Sequence, residues 1–208
     1  MKKSIIIIFA ALGLTSCFCP NEFTERELTL IREADSIMRV LTIEDSTDLE
    51  VLRASSRDLT LEMLQSDEFK RLSGLMVATV THPSQDGVGI AAPQVGLNRR
   101  VVAVQRFDKG NEPFEVYPNV RVIWASDSLA CGPEGCLSVP NRRGEVLRST
   151  EIVIEYTDIT ALPSGGRRRH KVQASGLPTI RDTVRGFTAV IFQHECDHLD
   201  GILYIDRL

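Results

Sequence analysis

The clearest periodic pattern of apolar residues in the chain is a helical one. Between Ser66 and Val80, apolar side chains recur at spacings of three and four residues, which is the stripe of a helix that covers a core. Pro83 and the polar, glycine-containing residues after it end this pattern. A sparser apolar pattern between Asn21 and Leu41 predicts an exposed amphipathic helix or a tether.

Three shorter segments predict β-strands. Val101–Val104 is uninterruptedly apolar, as in a buried strand, whereas Thr150–Tyr156 alternates between apolar and polar residues, as in a half-buried one. Phe114–Trp124 also alternates, but Pro118 interrupts it. A last helix is predicted for Asp182–Asp200, with the glycine at position 201 as its C-terminal cap. Helices and strands in mixed order, without an internal repeat, predict one α+β domain.

Composition narrows the class of protein further. The 208 residues are 25% charged and 43% hydrophobic, which is typical of a globular domain with a sizeable core. A formal net charge of -4 argues against a nucleic-acid coat, because phosphates need a basic partner. Five cysteines without a regular spacing argue against a disulfide-stapled miniature fold.

The first residues have the pattern of an export signal. Two lysines precede an apolar run from Ile5 to Leu14, which has the length of a signal-peptide core and is too short to span a bilayer as a mature helix. The run ends in the sequence Leu-Thr-Ser-Cys, which resembles a bacterial lipobox, so Cys17 is the predicted site of lipid attachment. A plain secretory signal and an uncleaved anchor are the alternatives.

This pattern divides the chain into three predicted parts. Residues 1–16 are a lipoprotein signal peptide, residues 17–37 a tether or exposed helix, and residues 38–208 the globular domain. Several acyl chains on one cysteine hold a protein stably at a membrane. The expected location is therefore the bacterial cell envelope, as a membrane lipoprotein, or the cytoplasm if the signal is not used.

The predicted last helix carries an H-E-x-x-H motif that begins at His194. A spacing of four residues places His194 and His198 on one face of a helix, one turn apart, where they can share a metal ion. Glu195 lies next to them, close enough to take a proton from a metal-bound water. Two surface histidines on an amphipathic helix are the alternative interpretation.

A catalytic metal site needs a third protein ligand and an open position for water. Beyond His198 the chain contains no further His, Cys or Glu. The third ligand therefore comes from upstream, unless Asp200 or Asp206 serves. The upstream candidate is Cys136, in the sequence Glu-Gly-Cys-Leu-Ser.

Three motifs together resemble those of the peptide deformylase family: Gly-Val-Gly-Ile-Ala-Ala-Pro-Gln at 87–94, Glu-Gly-Cys-Leu-Ser at 134–138, and His-Glu-x-x-His-Leu at 194–199. They follow the family's order, and the resemblance extends over about residues 38–208. It implies an α+β fold with mixed antiparallel strands around a central metal-binding helix. The implied reaction is the metal-dependent removal of the formyl group from N-formyl-L-methionyl peptides, releasing formate.

The resemblance also implies roles for individual residues. One divalent ion, ferrous iron by preference and zinc, nickel or cobalt as substitutes, would be bound by Cys136, His194 and His198. Glu195 would carry the proton to the departing amine. The side-chain amide of Gln94 and the backbone N–H of Leu137 would stabilise the oxyanion of the tetrahedral intermediate.

Other residues would hold the peptide. Gly87 and Gly89 would let its backbone approach closely. Arg143 matches a family arginine near the peptide cleft, whereas Arg142 is expected on the surface. The methionine side chain would contact four apolar residues, for which plain core packing is the alternative: Val88, Phe187, Val190 and Ile191. The enzyme is expected to act as a monomer without nucleic acid.

Three features lie outside the family pattern. Cys131 precedes Cys136 by five residues, where a disulfide would compete with metal binding, but a buried or free thiol is the expected state. Cys196 is expected in the core, because residues two apart on a helix lie on different faces. The basic run Arg167–Lys171 is expected to be a solvated hairpin tip rather than a contact with an anionic membrane.

Two other functions compete with this interpretation. One is a different metal-dependent amidase or peptidase, although zincin proteases are not expected to use the cysteine of the Glu-Gly-Cys-Leu-Ser motif. The other is an exported lipoprotein that binds formyl-peptides without cleaving them. The presence of Glu195 and Gln94 argues against it, because binding alone requires no general base. An exported enzyme would act on formyl-peptides released from exported or degraded proteins.

Overall fold

The computed structural model describes residues 22–162 and 176–208, which form helices and antiparallel strands. The helices are α1 (Glu25–Glu33), α2 (Ser46–Leu52), α3 (Leu61–Leu64), α4 (Asp67–Val80) and α5 (Gly186–Leu199). The strands are β1 (Gly89–Ala91), β2 (Val101–Gln105), β3 (Phe114–Pro118), β4 (Arg121–Ala125), β5 (Leu129–Cys136), β6 (Val139–Ser149), β7 (Glu151–Thr157) and β8 (Thr179–Arg185). The predicted α+β class is confirmed.

The strands form three antiparallel groups arranged around α5. One sheet has the order β1-β2-β3, a second has the order β4-β7-β8, and β5 and β6 form a hairpin. Helix α5 packs against strands of all three groups. It is buried along most of its length, so it forms the centre of the domain, as predicted.

Helix α4 confirms the helix that the apolar periodicity between Ser66 and Val80 predicts. Its N-cap is Ser66, whose side chain accepts a hydrogen bond of 3.1 Å from the backbone N–H of Phe69, one of the donors left unpaired at a helix start. The apolar stripe of the helix lies in one core cluster with β1 and β2, and its buried members include Leu72, Met76 and Val80. This stripe packs beneath the β1-β2-β3 sheet, and the first strand of that sheet is part of the 87–94 motif.

The predicted strand over residues 114–124 is two strands, β3 and β4, in different sheets. Asn119 lies between them with a φ of +57°, in the left-handed region that asparagine tolerates better than most residues. Its side-chain amide accepts a hydrogen bond of 2.7 Å from the backbone of Leu59 and donates one of 3.0 Å to the hydroxyl of Thr157. The chain therefore changes sheets where Pro118 and Asn119 interrupt the alternation.

The segment predicted to be a helix or a tether contains helix α1. Thr24 and Glu27 form a capping box at its start. Glu27 also accepts hydrogen bonds of 2.7 and 2.8 Å from the buried Arg99, and Ile31 is fully buried. The helix therefore packs against the domain rather than linking loosely to it.

The last helix begins later than predicted. The sequence pattern placed its start near Asp182, but Thr179–Arg185 is strand β8, which pairs along its whole length with β7. Gly186, at a φ of +61°, makes the turn from strand to helix that few other residues allow. The predicted start is wrong because the helical pattern of the sequence continues through a segment whose long-range pairing decides its conformation.

The end of α5 agrees with the prediction. Gly201 has a φ of +74°, and its N–H donates to the carbonyl of His198 at 3.2 Å, while Ile202 donates to that of Asp197 at 2.9 Å. This is a Schellman motif. A Cβ at position 201 would also collide with the backbone of Arg53. Glycine is therefore required both by conformation and by space.

Some predictions concern residues that the structure does not describe. The predicted signal peptide, the predicted lipid-attachment residue Cys17 and the basic run Arg167–Lys171 lie outside the ranges 22–162 and 176–208. Among the helices within those ranges, none is long and apolar enough to cross a membrane.

Candidate metal centre and substrate cleft

Three potential metal ligands converge where α5 meets the end of β5. The ligand atoms of Cys136, His194 and His198 all lie within 4.8 Å of one another. The sulfur of Cys136 is 3.2 Å from Nε2 of His198. The four-residue spacing of the histidines on α5 therefore has the predicted effect, and the hairpin supplies the third ligand atom.

The hairpin and a neighbouring turn hold the Cys136 sulfur in place. The chain reverses directly after Cys136, which pairs with Val139. The sulfur accepts hydrogen bonds of 3.4 Å from the backbone N–H of Ser138 and from Nε2 of Gln94. The alternative ligands point elsewhere, since Asp200 pairs with Arg100 and Asp206 pairs with Arg53.

A buried chain of charges orients His194. Its Nδ1 lies 2.7 Å from a carboxylate oxygen of Glu134, which leaves Nε2 free to face a metal ion. Arg148 donates hydrogen bonds of 2.7 and 3.0 Å to Glu134 and one of 2.6 Å to Asp197. Burial raises the pKa of Glu134, but the hydrogen bonds from Arg148 and His194 outweigh it and lower that pKa to about 2. Glu134 is therefore an ionised partner for the imidazole.

These residues fit a divalent metal ion. One sulfur and two imidazole nitrogens form a three-ligand set that leaves a position open, as in catalytic sites. The hydrogen bond that Nδ1 of His194 donates to Glu134 is the outer contact that such ligands normally have. For His198, Nδ1 has no hydrogen-bond partner among the residues described.

Glu195 lies against this ligand set and is 4% exposed. Its Oε2 has no hydrogen-bond partner within the described ranges, and burial raises the pKa of the carboxyl to about 7. A Cβ on Gly89 would lie 2.5 Å from Oε1 of Glu195 and 2.7 Å from Cγ2 of Ile191. The glycine at the start of β1 therefore makes room for the carboxylate.

The predicted oxyanion donors lie at the same place. Gln94 is in the turn after β1 and is 2% exposed. Its Oε1 accepts a hydrogen bond of 2.8 Å from the N–H of Ala91, which fixes the amide so that Nε2 faces the sulfur of Cys136. Leu137 lines the cleft next to Cys136. Both predicted donors therefore lie beside the ligand set.

A cleft of about 820 Å³ opens over these residues. Its walls are the loop 85–89, the β5–β6 hairpin and the first turns of α5. All the residues predicted to hold the peptide line it: Gly87, Val88, Gly89, Arg143, Phe187, Val190 and Ile191. Ile191 also belongs to the core around α5 and Val88 packs against that core, so core packing and cleft lining coincide there.

The apolar end of the cleft includes a contact that the sequence did not predict. Phe187 is 55% exposed, and its ring lies 5.3 Å from that of Phe107. Phe107 comes from the segment after β2, in which no motif marks it. Phe187, held by a second ring, therefore presents an apolar surface to the cleft rather than to the core.

Arg142 confirms its prediction and has a second feature that the sequence did not predict. It is exposed, as expected of a surface residue, but it also lines the cleft together with Arg143. The reason is the shape of the hairpin, in which β6 bulges beside Cys136. The sequence offers no periodic signal for such a bulge.

The remaining cysteines are not part of the centre. Cys131 is an exposed free thiol that contacts Glu145, so the alternative of a disulfide with Cys136 is not realised. Cys196 is buried in the core around α5, as predicted, and burial raises the pKa of its thiol to about 12. Between the two histidines, it faces away from them.

Known proteins resemble the chain over nearly all of its described residues. The family model described as polypeptide deformylase matches residues 37–208. The peptide deformylase of Leptospira biflexa is 34% identical over 166 residues, which cover 76% of this chain and 82% of that protein. That of Roseiflexus sp. is 32% identical over 185 residues, 83% of this chain and 89% of that protein.

Solved structures agree with these matches. An actinonin-bound class I type b peptide deformylase from Acinetobacter baumannii superposes with a TM-score of 0.66 at 29% identity, covering 84% of this chain and 99% of that one. A Met-Ala-Ser-bound structure from the same organism has a TM-score of 0.65 at 29% identity, covering 83% and 98%.

Proposed function

The chain belongs to the peptide deformylase family and is a metal-dependent hydrolase of N-formyl-methionyl peptides, and we propose how its residues share that work, which ion it uses and where it acts. The observation that carries the division of roles is the convergence of Cys136, His194 and His198 beside Glu195. Two imidazoles, one thiol and an unpaired buried carboxyl at the base of a cleft suit assisted amide hydrolysis.

Cys136, His194 and His198 would hold the ion, and we propose ferrous iron. A thiolate with two imidazoles accepts iron, zinc, nickel or cobalt, and the family resemblance favours iron. When bound, the ion lowers the pKa of water and polarises the formyl carbonyl. Metal analysis of protein purified without oxygen tests this choice. Iron as the main metal would support it, and zinc in its place would contradict it.

Glu195 would move the proton. It is a buried carboxyl beside the ligand set, without a hydrogen-bond partner at Oε2 among the described residues, and is thus placed to take and return a proton. It would accept a proton from the attacking water and deliver it to the amine that leaves the formyl carbon. Gln94 Nε2 and the Leu137 N–H would donate hydrogen bonds to the oxygen that becomes negative, a contribution of typically 10²- to 10³-fold for one such donor.

The rest of the cleft would position the peptide. Phe187, Val190, Ile191 and Val88 would contact the methionine side chain, because they form the apolar end of the cleft. Gly87 and Gly89 would let the peptide backbone lie against the loop, and Arg143 would bind farther along it. The binding of Met-Ala-Ser by the Acinetobacter baumannii relative supports a methionine pocket. One chain supplies all these residues, which supports a monomer.

Hydrolysis of matched formyl and acetyl peptides tests the activity. A protein of residues 20–208 would be loaded with ferrous iron without oxygen and given formyl-Met-Ala and acetyl-Met-Ala. We expect release of free amine from the formyl peptide only, and its loss in Glu195→Ala with metal content unchanged. Equal cleavage of both peptides would indicate a different amidase. Binding without cleavage would indicate a formyl-peptide-binding lipoprotein.

We also propose that the enzyme is exported and anchored by lipid at Cys17. Support comes from the two lysines, the apolar run and the lipobox of the first 17 residues. Its substrates would then be formyl-peptides released from exported or degraded proteins. Membrane fractionation with labelled fatty acid tests this, with Cys17→Ala expected to abolish labelling and Cys19→Ala, the matched control, to retain it. An unlabelled cytosolic protein would refute the proposal.

A further inference from the structure

The β5–β6 hairpin contains an irregularity directly beside the metal-ligand cysteine. Cys136 pairs with Val139, but the preceding residue, Gly135, pairs with Arg143. Residues 140–142 therefore have no partner on β5 and bulge out of the hairpin. Asn141, within the bulge, has a φ of +59°, in the left-handed region that lets the chain turn sharply.

The bulge changes where two arginine side chains point. In a regular strand, neighbouring residues face opposite sides of the sheet, so only one of Arg142 and Arg143 would reach the cleft. A bulge redirects the side chains next to it, and here both residues line the cleft. Two arginines thus lie on one wall, near the end of the hairpin.

These two arginines also differ from the neighbouring arginines in their ion pairing. Arg148 and Arg207 are paired with Glu134 and Asp197. Within residues 22–162 and 176–208, neither Arg142 nor Arg143 has an ion pair. Their charges are therefore available to a ligand.

The other charges of the cleft do not cancel this pair. The acidic residues that line it are Asp86, Glu134 and Glu195. Glu134 is neutralised by Arg148, and Glu195 is buried at the base. Asp86 is exposed on the loop of the opposite wall. The exposed part of the cleft thus carries two positive charges against one negative charge.

We propose that Arg142 is a specificity-determining residue that binds a carboxylate of the peptide beyond its methionine, which rests on the proposed function. The carboxylate is either an acidic side chain or the free C-terminus of a short peptide. A guanidinium fits a carboxylate with two parallel hydrogen bonds. Because Arg142 is exposed, the preference is modest and decreases with salt.

Two pairs of substrates test the preference and separate its sources. The first pair is formyl-Met-Ala-Glu-amide and formyl-Met-Ala-Gln-amide, and the second is formyl-Met-Ala as free acid and as amide. In the wild type at low salt we expect kcat/KM to favour the carboxylate peptide of at least one pair by about two- to fivefold, which is the range of an exposed ion pair. The gain is expected in KM and should shrink with added NaCl.

Variants assign the effect to Arg142. The preference is expected to disappear in Arg142→Ala, reverse in Arg142→Glu and return in Arg142→Lys. Arg26→Ala removes an exposed charge on α1 that does not line the cleft, and it should behave as the wild type. Equal rates within both pairs, or a preference that survives in Arg142→Glu, would overturn the inference. Absence of turnover with every peptide would instead contradict the proposed function.

Discussion

Gly89 and Glu195 are matched in space, because the carboxylate of Glu195 lies where a Cβ at position 89 would collide with it. A Cβ there would stand 2.5 Å from Oε1 of Glu195 and 2.7 Å from Cγ2 of Ile191. The edge strand β1 and the central helix α5 thus meet at the proposed proton-transfer group. The role of Gly89 is therefore to allow a close approach, in addition to its place in a motif.

Gly89→Ala is expected to lower kcat/KM by about 10²-fold, since a misplacement of about 1 Å near the reacting groups has that effect. The comparison is Gly74→Ala, because Gly74 is exposed on α4 and a Cβ there meets nothing within 4 Å. That variant should retain activity and gain about 0.5–1 kcal/mol in free energy of unfolding. Peptide assays and urea denaturation measure both. Full activity in Gly89→Ala would show that Glu195 can move away freely.

Glu134→Gln is expected to weaken metal binding by about 10- to 100-fold, because it removes the charge that orients His194. Competition with a coloured chelator measures the affinity. Glu145→Gln changes an exposed residue of the same hairpin and should leave the affinity unchanged. Equal affinity in the two variants would mean that the position of His194 is set by packing alone.

Cys136→Ser is expected to lose its metal on dialysis, because a hydroxyl is a poor replacement for a thiolate ligand. Its melting temperature should then be the same with and without added metal, whereas that of the wild type should rise. Cys131→Ser alters an exposed thiol outside the centre and should keep the metal. Retention of metal by Cys136→Ser would mean that a residue other than Cys136 is the third ligand.

The pair of Glu27 and Arg99 predicts a pH dependence of stability. Burial raises the pKa of Glu27, but hydrogen bonds and the charge of Arg99 outweigh it, so the pKa lies below its usual 4.5. A group with a depressed pKa stabilises the fold above its unfolded pKa, and this contribution is lost as the pH falls through the folded value.

Glu27→Gln is therefore expected to be less stable than the wild type at pH 7, by about 1–3 kcal/mol. The difference should shrink as the pH falls below 4.5, where the wild type loses its advantage. Urea denaturation across the acid range measures this. Glu33→Gln, at the exposed end of the same helix, is the control and should follow the wild type. A constant difference at all pH values would contradict the electrostatic explanation.

Local patterns in the sequence were sufficient to predict much of the metal centre. The spacing of His194 and His198 fixes their shared face, because helical geometry is the same in every protein. Cys136 could be placed only as an upstream candidate and through the family motif, since its distance from the helix depends on the whole fold. The apolar stripe of α4 was sufficient to predict that helix, and Gly201 was sufficient to predict where α5 ends.

Long-range pairing explains what the sequence did not provide. Strand β8 exists because β7 accepts it along its length, and no pattern within residues 182–185 encodes that partner. Glu134 faces Gly144 in the hairpin, yet it pairs with Arg148 farther along the strand. A rule that pairs each residue with the one directly opposite it on the next strand would have assigned Glu134 to Gly144 instead of Arg148. The position of Arg142 depends on a bulge of the same hairpin, which has no sequence period.

The separation of the ligands along the chain sets the order of assembly. Cys136 and His198 are 62 positions apart, and α5 is the last α-helix of the described residues. A growing chain emerges from its N-terminal end, so it presents the thiol well before either imidazole. The ion can be captured by all three ligands only after α5 has docked against the hairpin. Maturation of this enzyme is thus coupled to completion of its chain, because a fragment that stops before α5 lacks both histidine ligands.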